Sequence, residues 1–306
     1  MLLKFIVVIF IIWVVAQAKT SRPDGELIQS HPFRRLMLFV MPTRTESACY
    51  FETTVEADKL VEYLELARDR LNANMTHCLV AALNIGIAKT PSLNRFVSGQ
   101  RLYQRKGRWF TFSMKRIRMD QTAKLSVVKL EMQDDESFSE LCTRINGQIK
   151  VERSGKKTYA DKEFALFNVL PRPLLRFFTA VFKSLDYYNL LPGSFIKNDG
   201  MYCSMFVANL GSLGMSLSYH HLYEWGNCPI FATVGKVEER AVVVNGEVTV
   251  QKTLPIVFTF DERINDGLTC QKGMEAMKLA LQDPFTHLGC VKDDGSDVHP
   301  MLSAAS

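Results

Sequence analysis

No Cys-x-x-Cys pair, no block of like charge and no internal repeat occurs in this 306-residue chain. Each absence removes a class. The seven cysteines stand dispersed at 49, 78, 142, 203, 228, 270 and 290. An odd, scattered set is the pattern of buried or free thiols, not of a disulfide framework or a zinc site. The formal net charge is only +5, and no cluster of lysine and arginine concentrates it, which argues against a nucleic-acid partner. What is present is ordinary for a globular fold: 47% hydrophobic and 23% charged residues, in a length that suits one large domain or two modest ones.

Long apolar runs are scarce, with one exception. Leu2 to Ala18 is interrupted only by Lys4 and Gln17. A cleaved signal peptide would use Lys4 as its charged region and Ala16-Gln17-Ala18 as its cleavage site. A membrane anchor needs about 20 apolar residues, so the segment is short for one. The cations that follow, Lys19, Arg22, Arg34, Arg35 and Arg44, favour retention of the main domain in the cytoplasm, and unpaired thiols agree. The expectation is a membrane-anchored protein whose domain faces the cytoplasm. The alternative is a secreted protein, in which the Asn74-Met75-Thr76 sequon would matter.

Beyond a polar, proline-bearing lead-in, helices and strands alternate. Asp58 to Leu71 sets Leu60, Val61, Leu64 and Leu71 at helical spacing against Glu62, Glu65 and Arg68. A second helix runs from about Thr76 to Lys89 and stops at Pro91. Strands are expected over Ser47–Thr54, Trp109–Phe112, Ser126–Leu130, Tyr202–Leu210, Ile230–Val234 and Glu239–Val244, with a hairpin turn at Asn245-Gly246. Phe138–Val151 and Leu268–Leu281 read as helices, and Gly155-Lys156-Lys157 as a loop. The aromatic run Phe164–Leu185 reads as a helix buried in the core or in a subunit interface, with membrane contact as the alternative. Residues from Asp293 onward read as a disordered tail.

Two motifs carry the chemistry. The apolar run Leu254–Thr259 enters Phe260-Asp261-Glu262-Arg263-Ile264-Asn265-Asp266-Gly267, a strand, a tight turn and a helix start. About fifty residues upstream lies Ala208-Asn209-Leu210-Gly211-Ser212-Leu213-Gly214. In this order and at this separation they resemble two signatures of the chloramphenicol acetyltransferase fold, which the catalytic domain of dihydrolipoyl acyltransferases shares. The similarity extends over roughly Phe33 to Pro284, through Met41-Pro42-Thr43-Arg44, Pro91, Asn94 and Gly235-Lys236. It implies an α/β fold, a two-layer sandwich with a mixed sheet and flanking helices. It also implies a homotrimer with sites between subunits, and coenzyme A or acyl-coenzyme A as co-substrate with no tightly bound cofactor.

The family's roles map unevenly. Its histidine takes the proton of a thiol attacking an acyl carbonyl; that position holds Glu262. Its serine donates to the oxyanion; that position holds Ala208. Asp266 stands on the aspartate that binds an arginine, with Arg44 as the expected partner. Asn209, Gly211 and Gly267 are expected to shape the turns. A thiol near 8.5 opposite a histidine near 6.5 faces an uphill transfer of about 3 kcal/mol, against roughly 6 kcal/mol for an unperturbed glutamate near 4.3. Burial in an apolar channel would narrow that gap. A lost oxyanion donor costs about 10²–10³ in rate, for which Ser212 or a backbone amide of the Gly211 turn could substitute. His220 and His221 offer a relocated base, against a plainer reading as a helix-start pair. With Glu224 alone they are too few for a metal site. Cys203 and Cys228 are conceivable carriers of a thioester.

The organisation expected is an N-terminal hydrophobic segment at 1–18, a lead-in at 19–42, an acyltransferase-like domain at 43–284 and a flexible tail at 285–306. No lipoyl segment, subunit-binding domain or Ala/Pro-rich linker accompanies it. Two functions compete. One is an acyltransferase moving an acyl group between coenzyme A and an unidentified acceptor. The other is a non-catalytic trimeric binding or scaffold protein on the same fold.

Overall fold

The sheet is built around one long strand. In the computed structural model, which describes residues 2–116, 125–154 and 169–303, Glu247–Asp261 carries pairing on both sides. The helices, in chain order, are α1 (Leu2–Ala18), α2 (Pro32–Val40), α3 (Asp58–Leu71), α4 (Met75–Lys89) and α5 (Phe138–Arg153). They continue as α6 (Arg172–Tyr187), α7 (Gly193–Asn198), α8 (Gly267–Gln282) and α9 (Pro284–His287). Strands β1 (Gly25–Leu27), β2 (Ala48–Glu56), β3 (Arg95–Ser98), β4 (Arg101–Arg105) and β5 (Arg108–Lys115) fall in the first half. After them come β6 (Leu125–Met132), β7 (Met205–Asn209), β8 (Ile230–Val234), β9 (Glu238–Val244) and β10 (Glu247–Asp261).

The main sheet runs β2-β10-β8-β7-β5-β6, with β9 paired to the first half of β10. β7 is parallel to both β5 and β8, and the other pairs are antiparallel, so the sheet is mixed, as the resemblance implied. Helices α3, α4, α5 and α8 form the second layer. α4 is apolar on most faces because it lies in the middle of that layer, with Cys78 to Ile87 buried. It meets α8 backbone to backbone: a Cβ on Gly86 would stand 2.7 Å from the Gly273 carbonyl oxygen. A smaller sheet, β1-β4-β3, holds the N-terminal lead-in.

Several expectations need correction. The lead-in at 19–42 belongs to the fold. The buried Arg22 and Arg105 form an ion cluster with Asp24 and Asp186, at 2.9 Å for Arg22–Asp24 and Arg22–Asp186 and 3.6 Å for Arg105–Asp24. The tail expected to be flexible at 285–306 instead begins with α9 and closes on the core. The Tyr63 hydroxyl donates to the Gly289 carbonyl at 2.6 Å, and Met301, fully buried, donates its N–H to Glu136 at 3.0 Å. The aromatic run is not buried in the core of the single chain either; α6 has no fully buried residue. The loop at 155–157 and the start of Phe164–Leu185 lie outside the described residues. Helix α1 has 17 residues, and among the described residues no helix is long and apolar enough to cross a membrane.

Candidate active site

The turn after β10 is locked by the residues on either side of Glu262. Asp261 and Arg263, both almost fully buried, pair twice, at 2.8 and 2.7 Å. Ser47 donates its hydroxyl to the same carboxylate at 2.9 Å, and Arg263 donates to the Met41 carbonyl at 2.9 Å. Glu262, the first residue of that turn, is exposed to solvent, while Asp261 before it and Arg263, Ile264 and Asn265 after it are buried. The ion pair of this loop is Asp261–Arg263. Arg34 of α2 reaches over the turn and donates to the Glu262 and Arg263 carbonyls.

Asp266 does not meet Arg44. It is the N-cap of α8, accepting from the Thr269 N–H and hydroxyl, both at 2.8 Å. The Thr269 amide, and next its hydroxyl, hold the carboxyl below the usual aspartate range. Arg44 donates instead to the carbonyls of Tyr223 at 3.1 Å and Val97 at 3.4 Å, tying the 214–229 loop to β3. The expected pairing fails because a helix N-terminus supplies the donors that the carboxylate needs. Gly267 has open space where a Cβ would be, so no steric demand fixes glycine there.

The second motif shapes a cavity. Ala208 and Asn209 end β7, and the chain enters a short 3-10 turn at Leu210–Leu213. Asn209 accepts from the Ser212 amide at 3.1 Å and donates to the Thr76 hydroxyl at 3.1 Å. Gly211 is required here: a Cβ would sit 2.4 Å from the Gly235 carbonyl oxygen. The Ser212 hydroxyl donates to the Asn209 carbonyl at 2.7 Å, so it closes its own turn. Ala208, Asn209, Gly211 and Ser212 line a cavity of about 1370 Å³. Arg68, Lys115, Lys150, Arg153 and Lys236 line it as well, and no carboxylate does among the described residues.

Glu262 lies at the other end of the sheet. Ala208 is level with Thr233 on β8, which pairs with Val257 on β10. Five further residues lead to Glu262, roughly 17 Å along the strand and about 10 Å across two strand spacings. One protomer does not bring the two positions together.

The loop from Gly214 to Pro229 runs between these ends without helix, so His220 and His221 are not a helix-start pair. The Lys236 backbone N–H donates to the Met215 carbonyl at 2.9 Å near the cavity. Farther along, the Thr259 hydroxyl donates to the His220 carbonyl. The His220 ring stacks on Phe231 at 4.0 Å and on His221 at 4.7 Å, and burial pulls its pKa below the usual histidine value. Neither histidine lines the cavity. Glu224 accepts from Thr45 at 2.9 Å. Cys203 and Cys228 are closed off from solvent, which leaves no route for a carried acyl group.

Sequence reasoning missed the cationic lining. Its members come from α3, β5, α5 and the turn after β8, so no local spacing announces them. Lys236 alone was marked, through the resemblance.

Residues 197–288 match the family model for 2-oxoacid dehydrogenases acyltransferase (catalytic domain). Among solved structures, a probable dihydrolipoamide acetyltransferase from Listeria monocytogenes is 15% identical, with a TM-score of 0.56 over 84% of this chain and 94% of that one. A dihydrolipoamide acetyltransferase from Azotobacter vinelandii, also 15% identical, gives 0.56 over 84% and 93%. A chloramphenicol acetyltransferase, 11% identical, gives 0.50 over 84% and 99%. No curated protein sequence matches. The fold is thus that of the chloramphenicol acetyltransferase-like acyltransferases, and the matched stretch spans both motifs.

Proposed function

We propose that this chain binds an acyl thioester of coenzyme A in the basic cavity and transfers the acyl group as a homotrimer. The carrying observation is the cavity at Ala208–Ser212, rimmed by five cations and no carboxylate among the described residues. Such a rim suits a ligand that carries phosphates. Assembly supplies the missing neighbour. Glu262 and Ala208 lie at opposite ends of one sheet, so a ring in which one protomer's Glu262 faces the next protomer's cavity joins them. The hairpin β9–β10 offers a contact for that ring. Val243 pairs with Val248, and Val250 lies on the same face two residues on; the three are exposed by 71, 74 and 70%.

In this reading Glu262 takes the acceptor's proton as the acceptor attacks the thioester carbonyl. The carbon–sulfur bond then breaks, and the proton returns to the leaving thiolate. Packing against a neighbour would remove Glu262 from water. Backbone amides of the 210–214 turn replace the absent hydroxyl at the oxyanion. Thiol release from acetyl-coenzyme A, followed on the full chain and on Glu262→Gln, tests this. Release that falls by about a hundredfold or more supports the base role. Equal release in both removes Glu262 from the mechanism.

A second reading has its own observation. Ala208 has no hydroxyl and Ser212 is engaged in its own turn, which is what a binding protein on this fold would show. It predicts saturable binding of the thioester with no release.

A further inference from the structure

Helix α6 divides along its length. Its final turns lay Phe182 and Leu185 on the buried cluster Leu191, Ile196 and Tyr202. Its first turns continue the same stripe through Leu174, Phe177 and Phe178, exposed by 46, 60 and 38%. Spacings of three and four residues hold these side chains on one face. Arg172, Arg176 and Lys183 occupy the opposite arc and are exposed. The one carboxylate of the helix, Asp186, is drawn inward by Arg22 at 2.9 Å. What the helix offers outward is therefore apolar on one side and cationic on the other.

A second apolar helix meets it at the same corner. Asn189, just beyond α6, donates to the Lys19 carbonyl at 2.9 Å, and Arg101 donates to the Gln17 carbonyl. The neighbouring Gln100 accepts from the Tyr187 hydroxyl at 2.8 Å. The C-terminal ends of α1 and α6 are thus pinned together. Along α1, Phe10, Trp13 and Val15 are exposed by 60, 49 and 63%. At 17 residues α1 measures about 25 Å, short of a bilayer's hydrocarbon thickness.

We propose that α6 and α1 together form a monotopic docking face for an anionic lipid surface. Two exposed apolar helices joined at one corner, one of them with a basic polar face, match the chemistry of a headgroup–acyl boundary. Charge favours this occupant over the same face of a second copy, which would set Arg172, Arg176 and Lys183 of one helix beside those of the other. The proposal is independent of the acyl-transfer reading and stands or falls separately.

The test is co-sedimentation of the full chain with vesicles of phosphatidylcholine alone and of phosphatidylcholine mixed with phosphatidylglycerol. Wild type should partition onto the mixed vesicles. The combined change Leu174→Gln, Phe177→Gln, Phe178→Gln should lower the partition coefficient about tenfold or more with the melting temperature kept. Arg172→Gln, Arg176→Gln, Lys183→Gln should abolish the preference for phosphatidylglycerol; being confined to exposed side chains, it stays informative even where the apolar variant fails to fold. Three results would overturn the proposal: no binding by wild type, equal partition of wild type and both variants, or a change of oligomeric state in the apolar variant, which would assign the face to self-association.

Discussion

At the scale of single residues, Asp261, Glu262 and Arg263 have two separate fates in one turn. The outer two form a buried pair, and removing one partner strands the other charge away from water. Asp261→Ala should therefore cost about 3–5 kcal/mol in denaturant unfolding, whereas Glu262→Gln should leave stability unchanged. Comparable losses for both would contradict the buried-pair description. Asp266 gives a finer contrast. Asparagine caps a helix as well as aspartate does, so Asp266→Asn should melt close to wild type, while Asp266→Ala should lose about 1 kcal/mol. A large loss in the asparagine variant would instead revive an ionic role for this carboxylate. The identity of these residues was legible from the motif, but their partners were not. Arg44 was assigned to Asp266 by resemblance, and only the position of Thr269 at the start of α8 shows why the carboxylate is already satisfied.

Among elements, the strongly periodic ones were readable: α3 begins and ends where its apolar spacing does, and β8 matches its expected bounds. Asn245 and Gly246 both have positive φ, 52° and 89°, as a tight hairpin needs. Failures came where tertiary contacts outweigh local pattern. The segment after Asp293 has the composition of a tail yet is held by Met301 and Asp297, the latter accepting from the Val291 and Lys292 amides at 2.8 and 3.0 Å. Helix α4 carries a testable feature of its own. Asn74 and His77 form its capping box, with His77 Nδ1 accepting from the Asn74 N–H at 3.2 Å. Burial pushes the His77 pKa down to about 4 from an ordinary 6.5. Below 6.5 the unfolded chain binds a proton that the native state refuses until about 4. Stability should thus fall as pH drops through that window, by on the order of 3 kcal/mol in total. His77→Gln keeps an acceptor for the cap and loses the titration, so its unfolding free energy should have a shallower slope between pH 6.5 and 4. An unchanged slope would place the pH dependence elsewhere.

For the whole molecule, the order of strands and helices was enough to announce an α/β sandwich, and the double motif enough to choose which one. The candidate site was legible only by halves. Both motifs were visible in the chain, yet the sheet sets Ala208 and Glu262 at opposite ends, and the cations that line the cavity with Ala208 are gathered from four elements. That gathering is a property of topology, invisible to any local window. The acyl-thioester reading requires the gathered cations to hold an anionic ligand. Isothermal titration of acetyl-coenzyme A into the full chain and into the combined variant Lys150→Glu, Arg153→Glu is the direct measurement. Saturable binding by wild type, weakened about tenfold or more in the variant and further by added salt, is the predicted result. Binding of equal strength in both proteins, or heat of binding in neither, would contradict it.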